Sequence, residues 1–304
     1  MLFDELSNSF VTCFKESIVW FNERMSLYTS FKIGGNADIF VVPSSLDELV
    51  KIVNLAHNEQ VAINIIGNGS NLLVSDKGVR SVVVSCKTAM NKISFSGNNV
   101  SVGAGCSLET LSEEAAKMGL SGLEMAVGIP GTVGGALIMN AGAHEYNIGN
   151  IVKNVTILDL EGNERVLDKK ELSFNYRYSN LRDLNCIILN TELVLAKGNK
   201  DRLLKIMNNE RQDRLRKFPL DYPNAGSIFK RPDEGFPGKW IEMAGCKGMR
   251  IGDAEVSTKH ANFIINNGNA SANDVMRLIR KIKKVVFDKF DVCLEEEILY
   301  WGEM

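Results

Sequence analysis

At 304 residues, 45% hydrophobic and 24% charged, the chain can bury a proper core and divide into two or three units. A formal net charge of −2 provides no global basic field of the kind that draws nucleic acid or anionic membrane. Six scattered cysteines without a C-x-x-C pair, and three separated histidines (His57, His144, His260), exclude a sequence-encoded metal centre and point to free thiols in a reducing cytosol.

The N-terminal segment carries acids from Asp4 onward, which excludes a secretory signal, and no apolar run reaches the ~20 residues of a membrane span. Phe3, Leu6, Phe10, Phe14 and Ile18 recur at three- and four-residue spacing and predict an amphipathic helix within residues 1–24. Ala37–Val42 reads as a strand stopped by Pro43. Ser45-x-x-Glu48 is a capping-box pattern opening a helix through His57. Val61–Ile66 is a second strand, running straight into Gly67-Asn68-Gly69-Ser70-Asn71, and Ser81–Ser85 is a third. These elements make a first lobe over 25–88.

A second, α+β lobe is expected over 89–198. It opens with a hairpin around Gly97-Asn98-Asn99 and a helix Ser107–Met118 that Gly119 ends. From Val127 to Ala143 the chain reads VGIPGTVGGALIMNAGA, dense in glycine and free of charge, a composition expected to form neither ordinary helix nor ordinary strand. Strands Val155–Leu160, Glu164–Leu167 and Ile187–Ala196 complete the lobe. The charged helix Asn199–Lys217 marks a boundary, and 199–304 forms the last unit. That unit has a strand Ala261–Asn266, a helix opened by Ser271-x-x-Asp274, and a final strand Val292–Tyr300.

Neutral, glycine-rich backbone suits a large polar ligand lying against main-chain N–H groups, with a phosphate-bearing cofactor as the first candidate. Gly67–Asn71 fits such a turn or a plain strand–turn–strand corner. It is neither a Rossmann fingerprint nor a P-loop, but a pyrophosphate held between two lobes needs two such turns. In Asn175-Tyr176-Arg177-Tyr178-Ser179 the arginine is either a surface cation stacked on aromatics or a buried guanidinium. Ser227 follows Asn224-Ala225-Gly226 at a sharp turn without a G-x-S-x-G pattern, so it is no hydrolytic nucleophile and reads either as a proton donor or as a turn serine beside a basic surface pair. Lys230 and Arg231 nearby could grip phosphate. In the terminal Leu294-Glu295-Glu296-Glu297 run, strand alternation puts Glu295 and Glu297 on one face and Glu296 on the other, with Ile298 and Tyr300.

These motifs, GNGSNLL, GIPGTVGGA, YRYS, NAGSIFK and LExE in that order, together with Thr29–Gly35, resemble the UDP-N-acetylenolpyruvoylglucosamine reductase (MurB) family over nearly the whole chain. The first two also resemble FAD-binding flavoproteins of the PCMH, or vanillyl-alcohol-oxidase, type. The resemblance implies an α+β fold with a two-lobed FAD-binding domain and a smaller C-terminal substrate-binding domain. It also implies a two-step reaction in which NADPH reduces a non-covalently bound FAD, which then reduces UDP-N-acetylglucosamine enolpyruvate to UDP-N-acetylmuramate. The implied setting is cytoplasmic peptidoglycan synthesis, with no nucleic acid, membrane insertion or obligatory protein partner.

Residue by residue, the resemblance implies catalytic roles for Arg177 (charge stabilisation), Ser227 (proton donor) and Glu297 (polarising the substrate carboxylate, protonated or closely paired with the arginine). Glu295 competes with Glu297, because position 296 is Glu where family members commonly carry proline. FAD is implied to bind Gly67, Asn68, Gly69, Ser70, Asn71, Gly128, Ile129, Pro130, Gly131, Gly134, Gly135, Ala136, Asn140 and Arg177. Tyr222, Asn224, Lys230, Arg231, Lys259 and His260 are implied to line the nucleotide-sugar site, although His260 is equally readable as an interface histidine. The short interval between YRYS and NAGS indicates the compact, type II form.

Overall fold

Two large hydrophobic cores organise the computed structural model, which describes residues 14, 16–144, 146–233 and 235–304. Each belongs to one compact unit. Unit 1 takes the chain up to residue 21, then 38–67 and 81–212; unit 2 takes 22–37, 68–80 and 213–304. Segments 22–37 and 68–80, which the sequence groups mostly with the first FAD-binding lobe, thus pack with the C-terminal part.

Residues 1–13 and 15 lie outside the described residues, and with them most of the helix predicted within 1–24. The helix does not extend through Ile18: Ile18–Arg24 is a strand. Its Ile-Val-Trp-Phe start is β-branched and aromatic, and such side chains fit a pleated surface better than a helix.

In unit 1, Ile63–Ile66 runs parallel to Val79–Ser85, pairing Ile63 with Val82 and Ile66 with Ser85. Helix Leu46–Asn58 connects the preceding strand Asn36–Val42 to Ile63–Ile66 and buries Leu49, Ile52, Val53 and Ala56. Its N-cap Ser45 accepts from Glu48 N, while the Glu48 carboxylate turns back to Ser44 instead of completing the box on Ser45. A five-stranded antiparallel sheet follows, in the order Glu164–Asp168, Val152–Asp159, Cys186–Val194, Asn99–Gly103, Ile93–Ser96. The Ser96↔Asn99 register leaves Gly97-Asn98 as the hairpin turn, with Gly97 at φ 60°.

Unit 2 is built on helix Ala272–Phe290. Its buried Val275, Leu278, Ile279, Ile282 and Val286 recur at three- and four-residue spacing, and each full burial contributes about 1.5–3 kcal/mol. The predicted capping box forms, Ser271 accepting from Asp274 N and Asp274 from Ser271 N. The Asp76 carboxylate, remote in sequence, accepts from Ala272 N and Asn273 N and satisfies two more N-terminal donors. A small antiparallel sheet (Arg250–Ile251, Ala254–Val256, Ile264–Asn266) packs on this helix. The final strand is shorter than the predicted Val292–Tyr300. Only Leu299–Trp301 forms a ladder, parallel to Leu72–Val74, because residues 294–298 meet just one bridge, Phe229↔Glu296.

Candidate active site

In unit 2, three motifs far apart in sequence meet around Ser227. Asn224 makes an Asx-type turn: its Oδ1 accepts from Gly226 N at 2.9 Å and its Nδ2 donates to Tyr222 O at 2.8 Å. Gly226 adopts φ 76°, a left-handed conformation in which any Cβ would be strained, and this turns the chain sharply into Ser227. Beyond Ser227 the backbone is clasped from two sides. Glu297 N donates to Ile228 O and Lys230 N to Glu295 O, both at 2.8 Å. On the other side, buried Asn262 acts as a substitute peptide group, its Oδ1 accepting from Phe229 N (3.0 Å) and its Nδ2 donating to Phe229 O (2.9 Å).

The GNGSN turn joins the same cluster. Asn71 Nδ2 donates to Glu297 O at 3.1 Å, and a Cβ on Gly226 would lie 3.9 Å from Ser70 O. Ser30 fastens the two turns, donating from N to Gly69 O at 3.2 Å and from Oγ to Asn224 O at 2.7 Å. Gly69, at φ 58°, leaves no space for a side chain, since its Cβ would come 2.3 Å from Tyr28 O. Among the described residues, the N–H groups of Asn68, Gly69 and Asn71 donate to no protein acceptor.

The terminal glutamates meet different partners. Glu296 turns to helix Ala272–Phe290 and pairs with Lys283 at 2.7 Å, Glu295 pairs with Lys230, and half-buried Glu297 is pinned through its backbone to the Ser227 turn.

In unit 1 the glycine segment departs from its prediction. Val133–Ile138 is a short helix and Gly142–Ala143 a short strand. Buried Thr132 caps the helix, its Oγ1 accepting from Gly135 N, and Gly134 N donates to Ala104 O at 2.8 Å. Gly67 closes on this cap, for its Cβ would lie 2.4 Å from Thr132 Oγ1. Gly128 stands at φ 73°, and Ile129 N donates to Ala126 O, while Pro130 is exposed and Ala136 buried. Among the described residues, the N–H groups of Gly131 and Thr132 donate to no protein acceptor. Buried Asn140 ties the segment to its surroundings, donating to Asn175 O at 2.9 Å and accepting from Gly149 N at 3.0 Å.

Arg177 sits at φ 55° at the tip of a hairpin in which Phe174 faces Ser179 and Asn175 faces Tyr178. A non-glycine residue there is strained by about 1–2 kcal/mol, a cost that concentrates at working sites. Its Nη1 donates to Gly142 O at 3.3 Å and its guanidinium lies 5.1 Å over the Tyr176 ring.

The remaining predicted residues all lie in unit 2. Tyr222 is exposed, and Arg231 stacks over Phe236 at 4.3 Å. Lys259 Nζ donates to Leu215 O, at the C-terminal turn of helix Lys200–Lys217, at 2.8 Å. His260 packs edge-on against both rings of the stacked Phe218–Phe263 pair, with ring centroids 5.1 Å away in each case. Burial, and next the charge of Lys247, hold its pKa below the usual histidine value, and its Nδ1 has no partner among the described residues. Sequence reasoning gave no role to Ser30, Asn262 or Thr132, single polar residues that match no motif of their own.

Comparison with known proteins decides the lineage. The C-terminal domain of UDP-N-acetylenolpyruvoylglucosamine reductase matches residues 218–301, and an FAD binding domain matches residues 37–168. A protein of Caldanaerobacter subterraneus named UDP-N-acetylenolpyruvoylglucosamine reductase is 46% identical over 95% of both chains. The chain belongs to this reductase family. A Clostridium novyi protein of the same name is 44% identical over 93% of this chain and 92% of its own. The crystal structure of the Thermus caldophilus reductase superposes with a TM-score of 0.79, at 32% identity, over 94% of this chain and 99% of its own. The fold is therefore the α+β fold of the family, with a PCMH-type FAD-binding part.

The residues of unit 1 fit FAD. The Gly67–Thr132 contact brings the end of one glycine turn against the other, the segment is uncharged, and unspent N–H donors at Gly131 and Thr132 match the needs of a pyrophosphate.

Proposed function

We propose that this chain catalyses its family's reaction with Arg177, Ser227 and Glu297 as the acting residues. The reaction is the NADPH-dependent reduction of the enolpyruvyl group of UDP-N-acetylglucosamine enolpyruvate to UDP-N-acetylmuramate in peptidoglycan synthesis, and FAD is the cofactor. Bound FAD would supply the hydride-transfer chemistry that links NADPH to the alkene.

The protein supplies placement, charge and a proton. Hydride addition at C3 of the enol ether drives negative charge onto C2 and its carboxylate. Arg177 is a fixed cation suited to stabilise that charge as it develops, the electrostatic contribution that is usually the largest. Glu297 would polarise the same carboxylate. Ser227 donates the proton that completes addition at C2, a role that depends on hydrogen-bonding range more than on activation. In unit 1, Gly131 and Thr132 would hold the cofactor through backbone N–H groups. Tyr222, Asn224, Lys230, Arg231, Lys259 and His260 would form the nucleotide-sugar site, with Lys230 and Arg231 matched to its diphosphate.

One observation carries the assignment of roles: Ser227's neighbour Ile228 is hydrogen-bonded by Glu297, which Asn71 of the GNGSN turn holds in turn, so three family motifs share one small region. Among the described residues no helix is long and apolar enough to cross a membrane; the cytoplasmic setting we assign follows from the family's reaction. The test is optical. Purified protein should be yellow, absorb at about 450 nm and bleach with NADPH, and colour should return on adding the UDP-enolpyruvyl sugar but not simple alcohols. Protein that stays colourless after FAD is supplied, or recolours equally with any alcohol, would end this reading.

A further inference from the structure

Among the described residues the Ser227 hydroxyl has no hydrogen-bond partner, and the residue is half-buried instead of sealed. No protein group among them therefore aims this oxygen. Its direction is set by its own backbone, and that backbone leaves the turn Asn224-Ala225-Gly226. A proton donor needs position more than activation, so whatever fixes the turn bears on the reaction.

Asn224 is the residue that fixes it. Its Oδ1 accepts from Gly226 N at 2.9 Å, and its Nδ2 donates to Tyr222 O at 2.8 Å and to Pro219 O at 3.3 Å. An amide nitrogen has two hydrogens, so Asn224 keeps no donor for a ligand. The lone pair left on Oδ1 cannot serve a diphosphate, whose oxygens only accept. The main chain around it is engaged as well. Asn224 O accepts from Ser30 Oγ at 2.7 Å, Asn224 bridges Ile265, and Pro223 O accepts from Asn266 N at 2.9 Å. All these residues belong to unit 2. Glycine samples positive and negative φ about equally, so the φ of 76° at Gly226 has to be selected by a contact. Among the described residues Gly226 N makes one hydrogen bond, the one to Asn224 Oδ1.

We propose that Asn224 is a positioning residue for proton delivery, which acts through Ser227 by locking the Gly226 turn. It shapes the nucleotide-sugar site without hydrogen-bonding the substrate itself. The inference rests on Ser227 as the proton donor and is independent of the roles given to Arg177 and Glu297. The competing explanation is a direct contact between the Asn224 amide and the substrate, which would act on binding whether or not Ser227 carries a hydroxyl.

The experiment is a double-mutant cycle on the FAD-loaded enzyme. Wild type, Asn224→Ala, Ser227→Ala and the double variant are reduced with NADPH and then mixed with the UDP-enolpyruvyl sugar in stopped flow. Asn224→Ala should slow the limiting rate of reoxidation about tenfold or more, since misplacing a reacting group by about 1 Å can cost ~100-fold. The half-saturating sugar concentration should stay within about twofold of wild type. In the Ser227→Ala background the same substitution should slow reoxidation by less than about twofold, because no hydroxyl remains to be aimed. Asn224→Ser, whose hydroxyl can accept from Gly226 N in a weaker version of the turn, should lose less than Asn224→Ala. It carries the same cycle if the alanine variant does not accumulate as folded protein. Equal slowing in both backgrounds, or a tenfold rise in half-saturating concentration at an unchanged limiting rate, overturns the proposal in favour of a substrate contact or a general loss of structure. Reoxidation that Ser227→Ala fails to slow would instead remove the serine's role and this inference with it, a separate and recognisable result.

Discussion

Asn262→Ala should be among the most damaging single substitutions in unit 2, although Asn262 is given no chemical role. The Phe229↔Glu296 bridge is of the kind in which the paired residues make no backbone hydrogen bond to each other; the bonds run instead between their neighbours, Lys230 N to Glu295 O and Glu297 N to Ile228 O. The Phe229 N–H and C=O therefore rely on the Asn262 amide, at 3.0 and 2.9 Å, inside a core where Asn262 is 4% and Phe229 1% exposed. Removing the amide strands one buried donor and one buried acceptor, at ~1–3 kcal/mol each, so unit 2 should lose about 2–6 kcal/mol. Asn262→Asp, which sets an unpaired carboxylate oxygen against the buried Phe229 carbonyl, should be no milder. Urea unfolding followed by tryptophan fluorescence measures this, since Trp240 and Trp301 lie in unit 2 and Trp20 in unit 1. A loss below about 1 kcal/mol for Asn262→Ala would refute the claim that this amide replaces a strand.

Ser227→Ala should leave reduction of FAD by NADPH close to wild type while slowing reoxidation by the enolpyruvyl substrate ~100-fold or more; equal slowing of both steps in stopped flow would remove the serine from proton delivery. Gly69→Ala should cost the left-handed strain of about 1–2 kcal/mol plus the displacement of Tyr28, whereas Gly97→Ala should cost the strain alone. Nothing lies within 4 Å of the Gly97 Cβ position, so equal losses in thermal unfolding would contradict the packing argument. His260, with its pKa lowered by burial, stays neutral at a pH where the unfolded chain takes up a proton. Stability should therefore be lost as pH falls from the ordinary histidine value of 6.5 toward the folded one. His260→Gln should remove that acid loss, and parallel stability–pH curves for the two proteins in denaturant titrations would exclude it.

The helix starts were legible because capping is local: Ser45, Ser107 and Ser271 each sit at the predicted N-cap, and Gly119 ends its helix at φ 69°. The Gly97-Asn98 hairpin was legible for the same reason. The short helix Val133–Ile138 was not, since its glycines outweigh its local Thr132 cap by propensity, and the Ala104 carbonyl that also holds it is a tertiary partner. Arg177 could be singled out from its tyrosine neighbours, but its strained φ depends on hairpin pairing invisible in a tetrapeptide. Asn262 gave no warning at all, because a buried amide standing in for a neighbouring strand has no sequence pattern.

The interleaved path of the chain carries a consequence for biosynthesis. Phe31, Ile33 and Leu73 belong to a core whose other walls come from residues beyond 224, and Leu72–Val74 waits for Leu299–Trp301. While the polypeptide emerges, those early apolar side chains have no permanent home until almost the last codon has been read. A nonsense lesion near the end would therefore leave hydrophobic surface stranded close to the beginning, and a C-terminal fragment made alone would lack part of its own wall. Separating the two units cleanly would require rewiring the order of the gene, because no single cut divides them.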